Sequence, residues 1–233
     1  LLSGDYSQID LRALAHLSQD PQLIEAFRNG EDIHRATAAR IFNVSPDDVK
    51  PDMRRVAKTV NFGVIYGMSD YGLEQATSLS RAEASQFIKT YFEKYRGVAE
   101  YLESTKQQAR KLGYVETLLG RRRYIPDINN SNGMIRAAAE RMAINMPIQG
   151  TAADITKLAM ILVQGEMDGR GLGAQGSGCR MLLQVHDELV FEVPHNALDD
   201  MKKLVLEIMP KALKLDVPLT ADIKVGANWG EME

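Results

Sequence analysis

The chain has 233 residues, 45% hydrophobic and 25% charged, enough for one large domain or two small ones with real cores. Its one cysteine, Cys179, excludes an internal disulfide and any cysteine-cluster metal site. It has neither an apolar run of membrane-spanning length nor the basic and apolar start of a signal peptide, so the expectation is a cytoplasmic protein with no membrane partner. The net charge of −3 does not by itself suggest nucleic-acid binding, but residues 31–150 hold 18 Lys/Arg against 14 Asp/Glu, a net of +4 that leaves −7 elsewhere. A basic middle between acidic ends could hold a polyanion near carboxylates, although ordinary surface variation gives the same numbers.

A short strand-like run opens the chain at Leu1–Ser3 and leads into Asp5. So abrupt a start reads as an excised piece of something longer. From Ile9 the apolar period turns helical and most of the next 140 residues follow it, with strand pattern confined to the chain ends. Ser45-Pro46-Asp47-Asp48 has the chemistry of a helix start. A long helix is predicted over about 52–66, stopping at Gly67. Ser80 should cap another that ends near Tyr95–Gly97, and a third should end at Leu112-Gly113. Residues 131–145 read as helix until Pro147, which should kink or break it, and 151–167 as a further helical stretch. The Gly-rich stretch 169–180 reads as a flexible, exposed loop in which Cys179 is incidental. Two apolar runs, 181–185 and 188–193, flank His186-Asp187 as a hairpin between buried strands. A helix over 196–211 and a strand over 219–225 complete an α+β chain.

Three constellations carry chemistry. The hairpin tip places an imidazole and a carboxylate where Asn-Gly or Asp-Gly is the usual choice, which suggests a chemical use as readily as a plain polar turn. Glu188 ranks below Asp187, because strand alternation sends it to the other face. Arg54, Lys58, Phe62 and Tyr66 recur every fourth residue, one helix stripe about 18 Å long. Cations at one end and rings at the other suit a nucleoside triphosphate. Arg141, Asn145 and Gln149 repeat the spacing with groups that reach minor-groove or sugar–phosphate atoms, and a plain polar helix face explains them equally well.

DYSQIDLR (5–12), RRVAKTVNFGVIYG (54–67) and QVHDELV (184–190) resemble the three motifs of the family A DNA polymerases. DIH (32–34), LLGRRRYIPD (118–127) and AAERMAINMPIQGTAADI (138–155) are similar to the bacterial DNA polymerase I branch, in order along nearly the whole chain. The resemblance implies a right-hand fold: palm at 1–30, helical fingers at 31–130, palm again at 131–233, and no thumb. It implies template-directed DNA synthesis from dNTPs on a primer-template, in replication and repair at the bacterial nucleoid. Asp5, the Tyr6 carbonyl and Asp187 would hold two Mg²⁺ ions, with Mn²⁺ as a substitute and Glu188 in a lesser role. Arg54, Lys58 and His34 would meet the triphosphate, with Gln8, Asp10, Phe62 and Tyr66 at the sugar and base. Arg141, Asn145, Gln149 and His186 would lie near primer terminus and template.

One position departs from the pattern. Asp10 stands where the family usually has Glu, its steric gate against ribose, so ribonucleotide exclusion is expected to be weaker. Phe62 goes in this family with rejection of dideoxynucleotides. Without a thumb, the piece is expected to bind primer-template weakly and extend it poorly. A sheet edge exposed by the missing palm segments would invite self-association. Two other readings are a single-subunit RNA polymerase, against which Asp10 and DYSQ argue, and a non-catalytic nucleotide- or DNA-binding piece.

Overall fold

The structure, a computed structural model, describes residues 1–232. It is mixed helix with a small antiparallel sheet, and divides into two compact units, Leu1–Ile9 with Ala152–Glu233 and Asp10–Thr151. Among the described residues no helix is long and apolar enough to cross a membrane.

In chain order the elements are β1 (Leu2–Tyr6), α1 (Ile9–Ser18), α2 (Pro21–Arg28), α3 (Ile33–Phe42), α4 (Pro51–Ile65), α5 (Asp70–Ala76), α6 (Arg81–Lys94), α7 (Arg96–Leu112), β2 (Tyr114–Glu116), β3 (Arg122–Tyr124), α8 (Gly133–Gly169), β4 (Arg180–Val185), β5 (Glu188–Glu192), α9 (Leu198–Ile208) and β6 (Ala221–Val225). The first unit is built on a sheet of order β4-β5-β1-β6, with every pair antiparallel. The opening run of the chain is therefore an inner strand. Alternation along β1 sends Leu2 and Tyr6 into a core with Leu189, Phe191, Met201, Leu204 and Val205. Gly4 points the same way: a Cβ there would sit 2.6 Å from Val205 Cγ1 and 2.8 Å from Met209 Sδ, so α9 packs directly on the backbone. The Tyr6 hydroxyl donates to the Met209 carbonyl at 2.7 Å.

In the second unit the helix signals behave as the chemistry demands. Pro51 begins α4, and the helix ends at Tyr66 with Gly67 at φ 64°. Ser80 and Glu83 form a reciprocal capping box on α6, and Gly113, at φ 77°, ends α7.

The structure corrects four expectations. The middle of the chain is not wholly helical, since β2 and β3 pair as a short hairpin. Three-residue strands are too brief to show alternation. Side-chain pairs hold them: Arg122 bonds Glu116 at 3.1 Å and covers the Tyr114 ring at 4.5 Å. Pro147 does not break α8, which runs through it. Ala143, Ile144, Met146, Ile148 and Ala152 are all buried around the proline, and that packing outweighs one lost backbone bond. The Ser45–Asp48 signal yields only a single 3₁₀ turn, Pro46–Asp48. Finally, the strands flanking His186-Asp187 are not both buried: β4 lies at the sheet edge with Leu182 and Leu183 about half exposed.

The Gly-rich stretch is the loop expected, exposed at Gly171 and over 174–176, but it is anchored at Leu172 and Cys179. It folds back on itself, with Leu172 N–H donating to Met167 O at 2.8 Å and Cys179 N–H to Leu172 O at 2.9 Å. At Gly176 a Cβ would lie 1.9 Å from the Gly171 carbonyl oxygen, so only glycine fits. Cys179 is buried in the core of its unit, and burial raises its thiol pKa.

Candidate active site

The first unit gathers the acidic residues. Ser3 and Asp5 occupy the face of β1 opposite Leu2, Gly4 and Tyr6. Pairing in the sheet puts Glu188 of β5 and Asp222 of β6 directly across from Asp5. The tight turn between β4 and β5 requires a left-handed residue, and His186 takes it at φ 55°. The Asp187 carbonyl accepts from Tyr6 N–H at 3.3 Å, which ties the hairpin tip to β1. The Asp5 carboxyl is raised above the usual carboxylate range, first by burial, then by the charges of Asp187, Glu188 and Asp222, with Lys224 opposing. Asp187 is raised mainly by burial, with Glu188 adding, while its own backbone N–H and His186 pull the other way.

Carboxylates placed this way, with Lys224 opposing them at Asp5, suit a divalent cation better than they suit one another. Among the described residues no three His, Cys, Asp or Glu side chains converge as a complete metal site. A partial oxygen set of this kind fits Mg²⁺, which takes few carboxylates and fills its remaining positions with water and substrate phosphate.

Glu188 is not turned away from Asp5. Asp187 lies in the turn, so strand alternation cannot be counted from it; counted from the register, Glu188 shares the Asp5 face. Its carboxylate accepts from Ser3 Oγ at 2.5 Å and from Trp229 Nε1 at 3.3 Å. Sequence reasoning also missed Asp222 and Lys224, whose relation to Asp5 exists only through the pairing of β1 with β6, and the bond from Ser7 to Asp222 that the pairing allows.

The second unit carries the cation and aromatic residues. Arg54 Nε donates to Asp32 Oδ2 at 2.7 Å, and the other oxygen of Asp32 caps α3 by accepting from His34 and Arg35 N–H. Burial alone would raise the Asp32 carboxyl; the Arg54 and backbone bonds outweigh it and hold the group below its usual range. Lys58 is exposed and makes no salt bridge among the described residues. The half-buried Phe62 ring lies 5.7 Å from the His34 ring.

His34 is only 3% exposed, and its pKa is lowered to about 4, first by burial and then by Arg54 and Lys58, against Asp32. Its Nδ1 lies 3.1 Å from the Asn61 amide nitrogen, which can only donate, so the imidazole is neutral with its proton on Nε2. Asn61 and the Tyr95 hydroxyl both bond Thr37, which fixes the ring from behind.

The two four-residue stripes join within this unit. Gln149 Nε2 donates to the exposed Tyr66 hydroxyl at 3.0 Å, and the Arg141 stem lies so close to Gly67 that a Cβ there would meet its Cγ at 2.8 Å. Asn145 has its side-chain oxygen buried with no hydrogen-bond partner. Asp10 is half-buried in the first turn of α1, and Gln8 is left-handed at φ 57°. A cavity of about 570 Å³ opens beside Gly67 and Arg141, walled mostly by apolar residues such as Ile88, Phe92 and Leu102.

Residues 1–231 match the family model for DNA polymerase family A. The chain is 55% identical over 232 residues to DNA polymerase I of Streptococcus pneumoniae serotype 4, covering 99% of this chain and 26% of that protein. It is 51% identical over 229 residues to DNA polymerase I of Bacillus subtilis, covering 98% of this chain and 26% of that protein. It superposes with a TM-score of 0.91 on the POL domain of Pol1 from M. smegmatis in complex with DNA primer-template and dNTP, at 47% identity, covering 98% of this chain and 39% of that one. The chain thus spans about a quarter of the length of the curated relatives it matches.

Proposed function

The chain belongs to DNA polymerase family A, and from that premise we propose that it is the nucleotide-incorporating part of a template-directed DNA polymerase. The reaction joins the primer 3′-oxygen to the α-phosphorus of a dNTP and breaks the bond to pyrophosphate. What supports this reading is geometry: the Tyr6 N–H bond to the Asp187 carbonyl holds the hairpin tip against β1 next to Asp5, with Glu188 and Asp222 directly across from Asp5 in the sheet.

In this reading the sheet of the first unit is palm, extended through residues 1–30 and 131–233, and residues 31–130 are fingers. The thumb lies outside the chain. Asp5, the Tyr6 carbonyl and Asp187 hold two Mg²⁺ ions, for which Mn²⁺ can substitute, and Glu188 assists. When bound, the ions supply Lewis-acid stabilisation of the entering and leaving oxygens.

The remaining work falls to the chain's own residues. Lys58, exposed and with no carboxylate partner among the described residues, is available to neutralise charge on the transferred phosphates. Arg54 is held by Asp32 at Nε and presents its other nitrogens to the triphosphate. Neutral His34 donates from Nε2 to a phosphate oxygen, its ring steadied by Asn61. Phe62 and Tyr66 carry sugar and base, and the bond from Gln149 fixes the Tyr66 ring. Asp10 and Gln8 border the sugar, Asp10 as the gate against ribose. Arg141, Asn145 and His186 contact primer and template, where the unpaired Asn145 oxygen gains a donor.

Phosphate contacts dominate duplex affinity, so a chain without a thumb binds primer-template weakly and extends it poorly. The exposed leucines on edge strand β4 favour self-association of the isolated chain. The test is Mg²⁺-dependent dNTP binding and single-nucleotide extension by the chain, its Lys58→Ala variant and its Asp187→Ala variant. Weakened dNTP binding in both variants is the expected result. Binding indifferent to both substitutions would falsify the assignment. Binding without extension would identify the isolated chain as a nucleotide-binding piece of a larger enzyme.

A further inference from the structure

Two hydroxyl–carboxylate pairs flank Asp5. Ser3, Asp5 and Ser7 follow one another at every second position, and the acids directly opposite Asp5 are each bonded by one of the serines: Glu188 by Ser3, Asp222 by Ser7. Asp5 itself sits between them with its carboxylate bonded to neither.

The Ser7 pair has a second feature. Ser7 lies one residue past the end of β1, between Tyr6 and Gln8, and Gln8 is held at φ 57°. A non-glycine residue in that region costs about 1 kcal/mol and persists only where its surroundings impose it. Two contacts from one segment impose it here: Ser7 N–H donates to Thr220 O at 3.0 Å, and Ser7 Oγ donates to the Asp222 carboxylate. Thr220 and the start of β6 therefore clamp the turn that follows the Tyr6 carbonyl.

We propose that Asp222 is a positioning residue that acts through Ser7, fixing the Tyr6–Gln8 turn so that the Tyr6 carbonyl and the Asp5 carboxylate present one joint cation site. Its role is as a hydrogen-bond acceptor and not as a metal ligand. The inference rests on the carboxylate reading of the site given above, and its test separates the two.

Mn²⁺ binding to the 233-residue chain, titrated by electron paramagnetic resonance, reads the site without requiring turnover. Ser7→Ala and Asp222→Ala should each weaken binding about tenfold, and the double variant should be no worse than either single one, because both remove the same bond. Ser7→Thr and Asp222→Asn keep a donor and an acceptor, so each should stay within about twofold of the parent; these conservative variants also guard against simple misfolding. If Asp222 instead acted by its own charge, Asp222→Asn would lose as much as Asp222→Ala while Ser7→Ala bound normally, and that pattern overturns the inference. Loss of binding in Asp5→Ala with no change in Ser7→Ala sinks the inference alone. Binding that survives Asp5→Ala sinks the carboxylate reading, and the inference with it.

Discussion

The buried His34 makes stability depend on pH in a way that can be worked out from its surroundings. Its pKa is about 4 in the folded chain against an ordinary 6.5, because burial and the Arg54 and Lys58 charges disfavour the imidazolium. Between those two values the unfolded chain binds a proton at this residue and the folded chain does not. Lowering the pH therefore favours unfolding. The contribution is fully present above pH 6.5, declines as pH falls, and is exhausted near pH 4. Each pH unit inside the window is worth about 1.4 kcal/mol, so the full descent is worth about 3.5 kcal/mol, of which about 2 is spent by pH 5. Other groups add slopes of their own, Asp5 and Asp187 with raised pKa values in the opposite sense and Asp32 with a lowered one in the same sense. The decisive measurement is therefore a difference: urea unfolding at several pH values from 7 to 5, for the parent chain and for His34→Gln. The parent should lose about 2 kcal/mol more than the variant over that range, whatever their relative stability at pH 7. Parallel curves would refute the reasoning and mean that the His34 ring takes up its proton over the same pH range in the folded chain as in the unfolded one.

Three other outcomes test separate links. Gly4→Ala should destabilise the chain by about 1–3 kcal/mol, because its methyl must displace Val205 and Met209; an unchanged thermal midpoint counts against the packing of α9 on β1. In an intact polymerase carrying this segment, Asp10→Glu should lower ribonucleotide incorporation relative to dNTP, since the added methylene advances the gate; equal selectivity would show that Asp10 is not that gate. Phe62→Tyr in the same enzyme should raise dideoxynucleotide incorporation, and termination ladders unchanged by the substitution would remove Phe62 from the sugar site.

What was legible in the sequence was what is decided locally. Gly67 stops α4, Ser80 starts α6, and a two-residue gap between apolar runs makes the β4–β5 hairpin, because caps and turns answer to residues a few positions away. The stripe from Arg54 to Tyr66 was readable for the same reason: a helix period fixes which side chains share a face. The parts that were not legible depend on distant partners. Whether Pro147 breaks α8 is decided by the core around it, and whether 169–180 is loose is decided by Leu172 and Cys179 finding their unit's core. Sequence separation hides Asp222 from Asp5 altogether, and only the register of β6 on β1 puts them opposite each other.

That register also explains why so short a strand suffices at the centre of the site. β1 has five residues, and alternation gives it two jobs: Leu2, Gly4 and Tyr6 anchor it to α9, while Ser3 and Asp5 face the other way. A slip of one residue would turn Asp5 into the core and Gly4 out of it, so the close approach at Gly4 guards the orientation of the carboxylate as well as the packing. Neighbouring strands then bring two more acids beside Asp5, which an isolated sheet could not tolerate without relief. Bonds from Ser3 and Ser7 occupy those flanking acids, while Asp5 and Asp187 stay crowded, with raised pKa values. The same packing that excludes a side chain at Gly4 therefore keeps these acids together on the opposite face of the strand, where the proposed cation site lies.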